Sequence, residues 1–220
     1  LHNTVALISF NWILINMENG IYMQIRSQLK PTQTKIKSLQ KEVLHDMISP
    51  HFLFNSLNTL TSIVPESKGK AILFTSELAY LYEFILLNNN RELITIEEEI
   101  NVLNRYIFLL KSRFEDNLQV NIDLPKEVLS FSIPTLTLQN LVENAIKHNV
   151  ISKKYTLIID IKFEDDCIII QNPINLKSNS ETSTGLGLEY IYKQYHKYFN
   201  DNVLIQNDHQ YFTVKLPTKA

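Results

Sequence analysis

Apolar positions in the first half of this chain recur at helical spacing. From about Thr32 to Val64, Leu39, Val43 and Met47 share one stripe ahead of Pro50. Counted in helical steps from His51, Leu44, Ile48, Asn55 and Asn58 fall on its side. Leu53, Leu57, Leu60 and Val64 fall near the opposite one. Pro65-Glu66-Ser67-Lys68-Gly69 has the composition of a turn. A second helix is predicted from about Lys70 to Asn88, carrying Leu78, Leu81, Tyr82 and Ile85. Two long helices joined by a short turn form an αα-hairpin, and neither buries its apolar side alone. Pairing two hairpins into a four-helix bundle solves this, so the pattern predicts a homodimer.

Asn88-Asn89-Asn90-Arg91 is a polar break and the predicted domain boundary. Beyond it, Thr95-Ile96-Glu97-Glu98 is a capping box that opens a helix with the stripe Ile96, Ile100, Leu103, Ile107, Leu110 and Phe114. Leu118, Val120, Ile122 and Leu124 then alternate with polar residues up to Pro125, the period of a strand. Residues 134–149 are predicted helical, with Pro134 in the first turn. Strands at 155–163 and 167–172 flank the acidic turn Glu164-Asp165-Asp166. A polar loop at 172–184, a helix at 185–198 and a hairpin of 203–206 with 211–216 close the chain. The expected fold class is α+β: a helical hairpin followed by an α/β sandwich with a mixed sheet under helices.

Composition removes some classes of function. A 45% hydrophobic and 20% charged chain fits an ordinary globular protein. A net charge of −2 and the lack of a basic stripe with interleaved aromatics argue against a nucleic-acid partner. Cys167 is the single cysteine and lies in an apolar run, which excludes an internal disulfide and favours a reducing compartment. Val5 to Met17 is largely apolar but shorter than the roughly 20 residues of a bilayer span. Arg26, Lys30, Lys35, Lys37 and Lys41 follow before the next acid, Glu42, a bias expected on the cytoplasmic flank of a membrane helix.

Two segments carry the chemistry. In Ser49-Pro50-His51-Phe52-Leu53-Phe54-Asn55-Ser56-Leu57-Asn58, the imidazole of His51 sits on an amide-rich side where a partner can reach it. Pro50 removes a backbone donor just before it. In Gln139-Asn140-Leu141-Val142-Glu143-Asn144-Ala145-Ile146-Lys147-His148-Asn149, residues Asn140, Glu143, Asn144, Lys147 and His148 recur at steps of three and four and share a helix face. Together with Arg113-Phe114 after a helix and Gly185-Leu186-Gly187-Leu188 near the end, these segments resemble the LytS-type sensor histidine kinases. That family's phosphoacceptor box reads PHFLFNSLN and its nucleotide box LVENAIKH. The resemblance runs from about Leu39 to Pro217.

The resemblance implies a dimerisation and histidine-phosphotransfer hairpin over 32–90 and an ATP-binding domain of the Bergerat (GHKL) type over 91–220. It also implies membrane helices ahead of this region. Residues 1–31 are then a membrane-proximal segment with a basic flank, anchored in the cytoplasmic membrane, and the chain from about residue 26 onward lies in the cytoplasm. The alternative for 1–25 is an amphipathic helix packed on its own domain. The implied partners are a second copy of the chain and a cytoplasmic response regulator, and the implied cofactors are ATP and Mg2+.

Residue by residue, Asn144 offers an uncharged oxygen suited to magnesium, and Lys147 is a flexible cation that reaches a phosphate. Glu143 is a candidate to orient metal-bound water or to serve as base, because Phe52 follows His51 where several other histidine-kinase classes place an acid. Asn140 belongs to the same nucleotide box, His148 closes the pocket, and Asn55, one turn after His51, orients the ring. Gly185 and Gly187, with Leu186 and Leu188, match the glycine pair that ends the nucleotide lid. Glycine lets backbone approach phosphates, and the helix that follows presents free amides. The adenine strand departs from the family: Asn172 stands where an Asp receives the adenine amino group, and Pro173 follows without glycines. The expected function is autophosphorylation of His51 by ATP and transfer to a response-regulator aspartate. The alternatives are a degenerate dimeric scaffold with weak or lost nucleotide binding, and an ATPase of the same superfamily.

Overall fold

The computed structural model describes residues 50–88, 91–177, 186–200 and 202–218. Contacts divide the chain into Leu1–Pro50 and His51–Ala220, and the architecture below is that of the second unit. The expected membrane-proximal segment and basic flank, the helix ahead of Pro50, and Gly185 lie outside the described residues.

Helix α1 spans Pro50–Glu66 and α2 spans Lys68–Leu87, so the turn expected at 65–69 shrinks to Ser67 alone. Pro65 lies in the last turn of α1, where it cannot donate to the Thr61 carbonyl, and the helix ends one residue later. Ser67 then caps α2, its Oγ accepting from the Lys70 amide at 3.3 Å. Helix α2 carries apolar residues on both its buried and its exposed sides. Ala71, Phe74, Leu78, Leu81 and Ile85 are buried, whereas Ile72, Leu73, Leu86 and Leu87 are exposed.

The buried side of α2 packs on α3 (Ile96–Phe114). Arg105 of α3 fixes the contact, reaching Glu77 of α2 at 2.6 Å and lying 3.7 Å over the ring of Tyr80. The capping box forms as expected. Thr95 Oγ1 accepts from the Glu98 amide at 3.2 Å, and Glu98 accepts from the Thr95 amide at 3.0 Å. Arg91 completes it with a charged pair to Glu98 at 2.9 Å.

Strands β2 (Leu118–Asp123), β4 (Leu157–Glu164), β5 (Cys167–Pro173), β6 (Leu204–Asn207) and β7 (Tyr211–Pro217) form one sheet in the order β2-β4-β5-β7-β6. The β2–β4 pair is parallel and the rest are antiparallel, giving the mixed sheet expected. Ile159, Ile161, Ile168, Ile170, Val214 and Leu216 are buried, as are Leu103 of α3 and Leu141 and Val142 of α4 (Thr137–His148). Helix α5 (Leu186–Phe199) contributes buried Ile191 and Tyr195.

One local expectation is corrected. Pro134 does not open a helix: it ends β3 (Ser132–Pro134), which pairs antiparallel with β1 (Leu93–Thr95). Three-residue strands carry too few alternations to show a period. Helix α4 starts at Thr137, after Leu136 turns the chain through the left-handed region at φ 63°.

Candidate functional site

The start of α4 is held from outside. Leu136 offers no side-chain cap, and the carboxylate of Glu99 on α3 takes that place. It accepts from the Leu136 amide at 2.9 Å and from the Leu138 amide at 2.8 Å. Glu99 is buried, and burial pushes its pKa up to about 7 against the opposing pull of those backbone bonds. Its charge also raises the hydroxyl pKa of Tyr195 on α5, behind burial, and that of Tyr190, behind burial and the charge of Glu92. One carboxylate from α3 therefore caps the helix bearing the candidate nucleotide residues.

The far end of α4 is held as tightly. Asn149 donates through Nδ2 to the Ala145 carbonyl at 2.8 Å and accepts from the Asn175 amide at 2.6 Å. Lys177 donates through Nζ to the carbonyls of Ile146 and Lys147 at 3.0 and 2.9 Å, at the negative end of the helix. The start of the predicted loop at 172–184 is thus laid against α4 as far as Lys177, and its remainder lies outside the described residues. Burial, then the charges of Lys147 and Lys177, keep the His148 imidazole below its ordinary pKa and hence neutral at pH 7.

Between these fixed ends, Asn140, Glu143, Asn144 and His148 are half-buried and Lys147 is exposed. Asn144 and Gly187 come together from separate elements. A Cβ on Gly187 would lie 3.5 Å from Asn144 Nδ2 and 3.7 Å from its Oδ1. Asn144 Nδ2 is buried with no hydrogen-bond partner. An orphaned amide facing a space that lacks a Cβ is what a phosphate and its counter-ion would use, so the donor set fits an ATP–magnesium group. Leu188 is half-buried beside Gly187. Asn172 is buried at the end of β5, and its Nδ2 donates to the Pro173 carbonyl at 2.8 Å.

His51 is exposed near the start of α1. Asn55 Nδ2 lies 3.2 Å from ring Nδ1 and 3.1 Å from Nε2, so the amide can donate to a neutral ring and hold it. The next residue, Phe52, meets the ring of buried Tyr106 on α3 with centroids 4.9 Å apart. Sequence reasoning missed Glu99, Asn149, Lys177 and Tyr106. For Glu99 a signal existed, since it falls three residues after Ile96 and four before Leu103, on the apolar stripe of its helix.

Residues 39–118 match the family model for histidine kinases. On that match and on the relatives below, the chain belongs to the histidine kinase family. The sensor histidine kinase BtsS of Escherichia coli K12 is 33% identical over 189 residues, covering 83% of this chain and 32% of BtsS. The sensor histidine kinase/phosphatase LytS of Staphylococcus aureus MRSA252 is 32% identical over 146 residues, covering 66% of this chain and 25% of LytS. The chain thus spans about a third or less of the length of these curated relatives. The cytoplasmic segment of histidine kinase QseC overlays with a TM-score of 0.41 at 16% identity, covering 65% of this chain and 91% of that segment.

Proposed function

We propose that this chain is the kinase portion of a sensor histidine kinase of a two-component system. A nitrogen of His51 attacks the γ-phosphorus of ATP. The N–P bond forms as the bond to the β,γ-bridging oxygen breaks, and ADP leaves. The phosphoryl group then passes from His51 to an aspartate of a response regulator. The observation that carries this reading is the pairing, within one compact unit, of an exposed amide-held imidazole with the Asn144–Gly187 space.

Asn55 holds the His51 ring, and Glu143 receives the ring proton as the N–P bond forms. Asn144 would hold the magnesium ion, which supplies charge neutralisation for the phosphates. Lys147, Asn140 and the Gly185-Leu186-Gly187-Leu188 run hold the phosphate chain, and His148, kept neutral, closes the pocket. With Asn172 Nδ2 taken by Pro173, the Asn172 oxygen is the group available to the adenine amino group. The hairpin (32–90) acts as a homodimer. Exposed Phe54, Leu57, Val64, Ile72 and Leu73 support that reading, because a single chain leaves them in water. The basic flank at 26–41 supports a tether to the cytoplasmic membrane ahead of the hairpin. Among the described residues no helix is long and apolar enough to cross a membrane.

Incubation with γ-labelled ATP and magnesium tests the reading. Label that survives base, is lost in acid and is absent from His51→Gln is the expected result. Label retained in that variant would overturn the assignment of His51.

A further inference from the structure

Helix α4 ends without a glycine cap, yet its last four carbonyls, those that a helix cannot satisfy from within, all find donors. Asn149 follows the helix in extended backbone, and its amide and its Nδ2 both donate to the Ala145 carbonyl, at 3.2 and 2.8 Å. One residue meets the other three. Lys177 donates through Nζ to the carbonyls of Ile146 and Lys147 at 3.0 and 2.9 Å, and through its backbone amide to that of His148 at 3.1 Å. The stretch just before it is fastened to the same place. The Asn175 amide donates to Asn149 Oδ1 at 2.6 Å, the Val150 amide donates to the Asn175 carbonyl at 2.8 Å, and Leu176 pairs with Asn149 as an antiparallel bridge. Lys177 is nevertheless exposed. An exposed lysine ordinarily leaves its ammonium to water, because holding so long a side chain in one place costs rotamer freedom. Here the charge suits the place, since a cation is stabilised at the negative end of a helix.

We propose that Lys177 is a positioning residue of the nucleotide site: by binding the last turn of α4 it holds Lys147 and His148 in fixed register with the stretch of chain that leaves Asn172. This rests on the kinase reading above. Lys177 follows Asn172 by only five positions. On that reading Asn172 meets the adenine end of ATP, whereas Asn144 and Lys147 meet its phosphate end. One rigid-ended ligand that spans both sides needs them at a set separation. The backbone bonds of Asn175 and Val150 bring the stretch against α4, and the Nζ bonds then fix the turn that presents Lys147. Lys177 itself does not touch the nucleotide in this scheme. It acts through the carbonyls of Ile146 and Lys147.

The test titrates a fluorescent ATP analogue, with magnesium, into the unsubstituted chain, Lys177→Met, Lys177→Arg, Lys147→Met and the Lys177→Met/Lys147→Met pair. Lys177→Met keeps the backbone bond to His148 and removes only the donors of Nζ. Affinity should fall about fivefold, less than for a buried charged hydrogen bond, because water replaces part of an exposed one. The rate of His51 phosphorylation at saturating ATP should stay within about twofold, and the melting temperature within about 2 °C. Lys177→Arg keeps the cation and its donors and should bring affinity back to within about twofold of the unsubstituted chain. The pair should lose less than the product of the two single losses, because Lys177 acts through the turn that carries Lys147. A pair that loses the full product would overturn the proposal, since Lys177 would then meet the phosphates independently. An arginine that restores nothing would overturn it as well. So would a fall in melting temperature and saturating rate at unchanged affinity, which is the mark of a merely structural residue. If the unsubstituted chain binds no analogue, the kinase reading fails and this inference with it. If it binds and Lys177→Met binds as tightly, this inference alone fails.

Discussion

Replacing Glu99 should destabilise the protein by an amount that shrinks as pH rises, the reverse of what a charged helix cap ordinarily does. The carboxylate is buried and accepts from the Leu136 and Leu138 amides at 2.9 and 2.8 Å. Glu99→Ala leaves those two donors unpaired in a dry site at roughly 1–3 kcal/mol each, so a loss of about 2–6 kcal/mol follows at pH 5, where the side chain is neutral when folded. Burial outweighs the backbone bonds and raises the folded pKa from 4.5 to about 7. The folded state therefore binds the Glu99 proton more tightly than the unfolded state does. The stabilisation this proton brings is complete below about 4.5 and is lost as pH rises through about 7. At roughly 1.4 kcal/mol per pH unit, that window carries on the order of 3 kcal/mol. By pH 8 the carboxylate is ionised without water, and removing it relieves a penalty of similar size to the bonds lost. Urea denaturation of both proteins at pH 5, 6, 7 and 8 measures the difference directly. A cost that grows from pH 5 to pH 8 would refute the reasoning, because it would mean that the amide bonds exceed the desolvation and that the folded pKa lies below 4.5.

Gly187→Ala should leave melting temperature unchanged or slightly raised, since the added Cβ meets Asn144 at an ordinary 3.5 Å and alanine favours the helix by about 0.5–1 kcal/mol. Affinity for a fluorescent ATP analogue should nevertheless drop several-fold, and an unchanged affinity would remove Gly187 from the site. Asn172→Asp should tighten the same analogue by a few-fold if its oxygen meets the adenine amino group, because charge assistance adds roughly 1 kcal/mol to such a bond. Equal affinities would make Asn172 a structural residue that only turns the chain through Pro173. Light scattering at micromolar concentration should report twice the chain mass, and a clean monomer would count against a hairpin dimer.

The sequence by itself determined the elements whose cause is local. The Thr95–Glu98 capping box forms because both partners lie within one turn of each other, the strands at 118–123, 157–164 and 211–217 follow from alternation against a buried face, and that at 167–173 follows from the continuous apolar run Ile168-Ile169-Ile170. It also brought the face of Asn140, Glu143, Asn144, Lys147 and His148 onto one helix, since steps of three and four need no tertiary information. It read Leu57 and Val64 as part of the apolar side of α1, yet they are exposed at 45% and 58%, and the inward contact runs through Phe52 and Ser56. Which face of α1 meets its own chain depends on the ring that α3 presents, Tyr106, which lies more than fifty residues away.

Only the tertiary structure decided the rest. Pro134 became the end of a strand because Leu93, far back in the chain, pairs with it. The start of α4 is set by a carboxylate 37 residues upstream, and its end by Asn175 and Lys177, which arrive after two strands. Glu99 in the run Glu97-Glu98-Glu99 carries the composition of a solvated helix start, and burial made it a cap instead. Hydrogen bonds over such separations leave no period in the chain, because backbone amides can be satisfied by any acceptor that the fold delivers. The spacing of the candidate site residues is thus a property of the sequence, whereas the fixing of α4 at both ends and the meeting of Asn144 with Gly187 arise only from packing.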